Sequence, residues 1–367
     1  MPAAHAEPTR AADGAPIWSV GRHDTQDVCD TIFKTRPHVS PSSPGGKMMG
    51  ETGAVPAGAA AAAAVAALTL GVLPTLPAGR LARDARWGAA VRAAWAADPE
   101  IRALPRRGAE LAVTELPYEH AGVRLHGLLV CHDAGAAPRR APGVILAHTG
   151  AGPRDLFLLW RASALAARGH VVLVADLFGD EDGAAWDAPF SRARMDELRA
   201  DRALLGDRLG AALSMLRADE RVDGARCAAL GWCLGGRAAL DLARRGADLR
   251  AAVSFHGVLD ALPDELLAPH VRARVLVCDG DLDPLQSDGG RAAMREQLRR
   301  AGADFEVVTY GRAAHGFTCP AQRLNDADGF DFEPMAAARA WEGARTFLRD
   351  ALDPDGDGAP AVGVGHN

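Results

Sequence analysis

The residues best suited to chemistry lie in three short stretches, and the first is Gly231-Trp232-Cys233-Leu234-Gly235-Gly236. A strand that ends in Gly-x-nucleophile-x-Gly and turns at once into a helix holds its nucleophile out on a tight turn. Residues two places from the nucleophile must lack bulk, and Gly231 and Gly235 meet that need. The turn would set the Cys233 sulfur at a helix N-terminus, where the backbone dipole favours the thiolate. The Leu234 N–H would face the place where a substrate oxyanion forms. The competing reading is a buried cysteine beside a glycine-rich packing turn.

A thiol nucleophile of this kind needs a base, and the base needs an orienting acid. After the elbow the expected order is acid, then histidine. Downstream of an apolar run at Ala273–Cys278 comes Asp279-Gly280-Asp281-Leu282-Asp283-Pro284. Asp283 is the preferred acid, because it lies farther into the loop and precedes the stiffening Pro284. Asp281 is the second choice, and a solvated acidic turn the plain alternative. After the run Phe305–Tyr310, His315 is flanked by small residues in Ala313-Ala314-His315-Gly316. Its ring could approach the sulfur and act as general base and acid, with Asp283 fixing its tautomer.

Positioning these groups requires strands and helices in alternation. Glu110–Glu119 and Val123–Cys131 alternate as two antiparallel strands. Short apolar runs follow at Gly143–His148, Val171–Ala175, Arg226–Leu230, Ala251–Ser254, Ala273–Cys278 and Phe305–Tyr310. Between them lie helical patterns: an amphipathic Asp155–Arg168, one long helix Met195–Leu216, then Gly235–Arg245, Gly289–Ala301 and Met335–Leu352. Continuous apolar strands separated by helices predict a mostly parallel central sheet with helices on both faces. With the elbow, that is the α/β-hydrolase fold.

Residues 1–80 differ in character. They are rich in Pro, Gly, Ala and Ser, and are expected to form a low-complexity, disordered extension. No charge occurs across residues 52–79, and a run of that length can span a membrane. Its Ala content and its bounding Pro56, Pro74 and Pro77 favour a linker, with a membrane anchor or an export signal as the alternative. Residues 81–109 form a helical lead-in, with Leu81, Trp87, Val91 and Trp95 at helical spacing. The main domain spans 110–352, and 353–367 is a flexible tail.

The 367 residues are 48% hydrophobic and 24% charged, an ordinary soluble composition. A net charge of −6 offers no general attraction for nucleic acid or anionic lipid. Six cysteines without a C-x-x-C pair argue against zinc ribbons and a disulfide scaffold. Free thiols in a cytoplasmic protein, without metal or cofactor, are the expectation.

On these motifs the chain resembles the dienelactone hydrolase family. The carriers are the Cys233 elbow, Gly280-Asp281-Leu282-Asp283-Pro284 and His315-Gly316-Phe317. Ala175-Asp176-Leu177-Phe178-Gly179-Asp180 and Ser254-Phe255-His256-Gly257 support them. The resemblance covers about residues 110–352. It implies metal-free hydrolysis of lactones or related esters by a Cys-His-Asp triad. In well-known members a glutamate after the first buried strand helps activate the cysteine, and Thr149 stands there in this chain. Those members also hold a substrate carboxylate with an arginine four residues after the histidine, a position occupied here by Cys319. Arg192, Arg194, Arg199 and Arg202 are other candidates for that contact.

The leading expectation is therefore a hydrolase of a lactone, carboxylic ester or thioester, working through a thioester acyl-enzyme on Cys233. The Leu234 and Gly150 N–H groups would hold the oxyanion, and Thr149, His148, Trp232, His256 and Phe178 are candidate pocket residues. The alternative is a degenerate hydrolase fold that binds a partner without turnover.

Overall fold

The computed structural model describes residues 85–103, 111–132, 140–179 and 188–353. The expectations for residues 1–80, for the charge-free stretch 52–79 and for the tail beyond Asp353 lie outside them. Among the described residues no helix is long and apolar enough to cross a membrane.

Two lead-in helices, α1 (Ala85–Ala97) and α2 (Pro99–Ala103), precede the sheet. The strands are β1 (Leu111–His120), β2 (Val123–His132), β3 (Ala141–Ala147), β4 (Val171–Ala175), β5 (Val222–Trp232), β6 (Ala251–Phe255), β7 (Arg274–Gly280) and β8 (Phe305–Tyr310). They form one sheet in the order β1-β2-β4-β3-β5-β6-β7-β8. β1 and β2 pair antiparallel, and β2 meets β4 antiparallel. From β4 to β8 every pairing is parallel. The helices between strands are α3 (Leu156–Ala166), α4 (Ala188–Ala200), α5 (Arg202–Ala218), α6 (Leu234–Arg244) and α7 (Asp288–Arg300), and α8 (Pro334–Leu352) follows β8.

The β5 sequence shows how the layers arise. Side chains alternate across a strand. Ala228, Leu230 and Trp232 join the core beneath α1, α3 and α8, while Cys227 and Ala229 join the core beneath α5, α6 and α7. Apolar residues at both parities leave each sheet face in need of cover, and helices supply it on both sides.

Two expectations are corrected. The stretch Met195–Leu216 is not one helix: α4 ends at Ala200 and α5 begins at Arg202. Asp201 between them caps α5, its carboxylate accepting the Leu204 N–H at 2.8 Å. The helix within Asp155–Arg168 is not amphipathic in place, since all eleven residues of α3 are buried. The lead-in covers it: α1 places Val91 and Trp95 in the same core, and the Trp160 Nε1–H donates to Asp98 at 2.7 Å.

Candidate active site

Cys233 is the single residue between β5 and α6. Its backbone stands at φ 55° and ψ −117°, a conformation that non-glycine residues rarely adopt. Such strain costs roughly 1–3 kcal/mol and survives only where the surroundings impose it. Here they do. The Cys233 N–H donates to the Phe255 carbonyl at 3.1 Å, and its own carbonyl accepts the Arg237 N–H at 3.1 Å. A side chain at Gly231 would run into the Gly235 backbone, and one at Gly235 into the Ala147 carbonyl. The turn is therefore closed on both sides, and the half-buried thiol is held at the carboxyl edge of the sheet.

Three aspartates lie within five positions at the end of β7, Asp279 in the strand and Asp281 and Asp283 after it, and they part company. Asp279 is buried against Arg291, with Nε to Oδ2 at 2.7 Å. Asp281 is exposed. Asp283 is 4% exposed, accepts the Leu285 N–H at 2.9 Å and takes His315 Nδ1 at 2.8 Å. That bond places a proton on Nδ1 and leaves Nε2 as the working nitrogen. Nε2 is buried, and the His315 ring interacts with the Cys233 sulfur.

The three groups shift one another's ionisation. Burial resists the Cys233 thiolate, but the His315 charge, aided by the Leu234 N–H, outweighs it, and the thiol ionises more readily than usual. Burial likewise opposes a charged His315, yet Asp283 and the thiolate hold its pKa well above the ordinary histidine value. For Asp283, burial pushes upward and the imidazolium prevails, leaving the carboxyl below its usual range.

The other site expectations fare differently. Trp232 is 1% exposed and stacks on Phe255 at 4.9 Å within the core. Phe178 is also in the core, edge-on to His148 at 4.4 Å. His148 itself is fully buried. Its Nδ1 donates to the Thr149 carbonyl at 2.6 Å and its Nε2 accepts the Leu177 N–H at 3.0 Å. Its ring thereby ties the loop after β4 to the end of β3. The Thr149 hydroxyl accepts the Ala151 N–H at 3.1 Å, so it shapes the turn carrying the half-buried Gly150. His256 is 3% exposed and packs on His315, with ring centroids 5.2 Å apart.

Phe330 was not singled out by the sequence reading. Its ring lies 4.7 Å from His315 on a segment that also exchanges backbone hydrogen bonds with it, His315 N to Gly329 O and Asp331 N to His315 O. The two lie fifteen positions apart in sequence, and no motif links them. Among the described residues no group of three His, Cys, Asp or Glu could hold a metal ion.

Known proteins resemble the chain over this same region. The sequence profile of the dienelactone hydrolase family matches residues 129–352. A protein of Caenorhabditis elegans, described as uncharacterized, is 35% identical over 152 residues, covering 40% of this chain and 94% of its own. A Bradyrhizobium protein named "Probable 2-oxo-3-(5-oxofuran-2-ylidene)propanoate lactonase" is 28% identical over 197 residues, covering 50% of this chain and 74% of its own. Among solved structures, a dienelactone hydrolase-like promiscuous phosphotriesterase from metagenomic libraries superposes with TM-score 0.62 at 32% identity, over 67% of this chain and 100% of its own. The protein named m3DLH gives TM-score 0.60 at 36% identity, over 66% and 99%.

Proposed function

The chain belongs to the dienelactone hydrolase family and so to the hydrolases acting on ester bonds, and from that premise we propose that it cleaves a lactone, carboxylic ester or thioester through Cys233, His315 and Asp283. The observation that carries this reading is the buried His315–Asp283 pair, bonded at 2.8 Å, coupled to a thiol on a strained elbow.

In this mechanism the Cys233 thiolate attacks the carbonyl carbon, forming a C–S bond as the carbonyl electrons move to oxygen. The N–H groups of Leu234 and Gly150 hold that oxyanion. Collapse expels the leaving oxygen or sulfur, which takes the proton from His315 Nε2. A thioester on Cys233 and a neutral imidazole remain. His315 then takes a proton from water, the resulting hydroxide adds to the thioester, and collapse returns the thiolate and releases the acid. Asp283 keeps the imidazole in the tautomer that presents Nε2 throughout.

Thr149 brings no carboxylate near the sulfur, so activation of the thiol falls to His315. The arginines considered for a substrate carboxylate are already engaged. Arg192 and Arg199 lie near Asp196, Arg194 bonds Glu197 at 2.6 Å, and Arg202 bonds Asp241 at 2.6 Å. Cys319 is buried, and burial pushes its thiol well above the usual range. The reading therefore favours uncharged esters and lactones over acidic ones.

Matched aryl esters and lactones with and without a free carboxylate test it. The uncharged member of each pair should show the higher kcat/KM, and Cys233→Ala should turn over neither. Undiminished turnover in Cys233→Ala would sink the mechanism. A consistent preference for the acidic members would sink the substrate class.

A further inference from the structure

His256 holds an unusual place. It is a non-glycine residue at φ 39°, immediately after β6, and it is 3% exposed. Positive φ costs free energy for such a residue and persists where neighbours enforce it. The backbone here joins the strand ends that carry two of the three groups assigned to catalysis. The Phe255 carbonyl takes the Cys233 N–H at 3.1 Å, and the His256 N–H donates to the Cys278 carbonyl at 2.8 Å, at the root of the Asp283 loop. The side chain reaches the third. His256 Nε2 pairs with the Thr318 hydroxyl at 2.9 Å, three residues beyond His315. Its ring meets His315 edge-on at 5.2 Å and Phe317 at 5.6 Å. On another side, Phe330 meets His315 at 4.7 Å. His315 is thus gripped between two rings while Asp283 holds its Nδ1.

We propose that His256 is a positioning residue that sets His315 against Cys233, working through its hydrogen bond to Thr318 and its contact with the His315 ring. The proposal rests on the Cys233–His315–Asp283 reading. Apart from Thr318, His256 has the ionisable neighbours His315 and Asp283. Burial, reinforced by the His315 charge, lowers its pKa to about 3, so it packs beside the imidazolium as a neutral ring. A second cation at that point would repel the charge that His315 needs. A plain aromatic would supply packing but no bond to Thr318.

The test compares Thr318→Val, Thr318→Ser, His256→Asn and the double variant His256→Asn/Thr318→Val. Asparagine tolerates the positive φ and is too short to replace the ring. Each is assayed for kcat and KM on an activated aryl ester, and for the pH dependence of Cys233 alkylation by iodoacetamide. Cys233→Ala is run beside them. Thr318→Val should lose about tenfold in kcat, the effect of one neutral hydrogen bond, with KM little changed. Its alkylation midpoint should move upward, because a displaced imidazolium supports the thiolate less. Thr318→Ser should restore both. His256→Asn should lose at least as much, and the double variant no more than His256→Asn alone. Wild-type kcat and alkylation in Thr318→Val, or losses that add in the double variant, would overturn the proposal even with Cys233→Ala inactive. Turnover surviving in Cys233→Ala would overturn the triad reading and the proposal with it. Should His256→Asn fail to fold, Thr318→Val and Thr318→Ser still decide.

Discussion

Asp279, in β7, and Asp283, in the loop after it, are both buried aspartates, yet their partners give them different work. Asp279 is neutralised by Arg291 and anchors α7 to the end of β7. Asp283 faces an imidazole coupled to a thiol. Asp283→Asn should lower kcat by about a hundredfold or more, since the tautomer is no longer fixed. Asp279→Asn should leave kcat within a fewfold of wild type and lower Tm, since Arg291 loses its charge partner. Steady-state assays and thermal melts of the two variants separate these outcomes. The pH profile follows from the same shifts. The Cys233 pKa is depressed, so the thiolate is present above that value and activity falls as pH drops through it. The His315 pKa is raised, so the proton for the leaving group is lost only as pH rises through that higher value. kcat/KM should therefore be bell-shaped, with its acid limb below the ordinary thiol range. Stability carries matching signs. Depression of Asp283 contributes above the unfolded carboxylate pKa and is lost on acidification through the folded value. Elevation of His315 contributes below the unfolded histidine pKa and is lost as pH rises through the folded one.

At the level of elements, the β5–α6 elbow is the tightest feature, and its glycines can be tested directly. A Cβ at Gly235 would meet backbone, which cannot swing aside as a side chain can. Gly235→Ala should cost several kcal/mol, roughly 3 or more, or prevent soluble expression, whereas Gly289→Ala, with open space around it, should be near neutral. Urea melts of the two variants check this. The elbow was legible in the sequence because its requirement is local: three residue types at fixed spacing between an apolar run and a helix. The break between α4 and α5 was also written there, as Asp201, but the apolar period runs on through Met195, Leu198, Leu205 and Leu209 and hides it. The burial of α3 was not legible. Arg161 on that helix looks like a solvent-facing residue, yet it is 5% exposed beneath the Trp160 and Trp341 rings, 3.8 and 4.5 Å away. The residues that cover α3 lie far from it in the chain, and short-range periodicity carries no trace of them. The same holds for Phe330 and Thr318 around His315. The partner of His148 is equally distant in sequence: the Leu177 N–H, in the loop after β4, donates to its ring.

Over the whole molecule, the lead-in helices lie before the span that the family profile matches, yet they share a core with the site. Val91 and Trp95 belong to the cluster that contains Trp232, Phe255, Phe317 and Cys319. α1 also packs on the short 3-10 segment Pro320–Leu324 that follows the His315 loop. Trp95 is 2% exposed, so Trp95→Ala should cost about 3–5 kcal/mol and lower Tm, the usual range for removing a buried tryptophan. A variant as stable as wild type would show that α1 contributes nothing to the core. The central claim concerns Cys233, whose elbow, acid and histidine come from three separate strand ends and act on one sulfur. Its most direct test is intact-mass and peptide analysis after rapid quenching with a slowly deacylating aryl ester. The account predicts a mass increase equal to the acyl group, located on the peptide carrying Cys233, cleaved by hydroxylamine and absent from Cys233→Ala. Turnover of that ester by Cys233→Ala at the wild-type rate, with no acyl group ever found on Cys233, would contradict it.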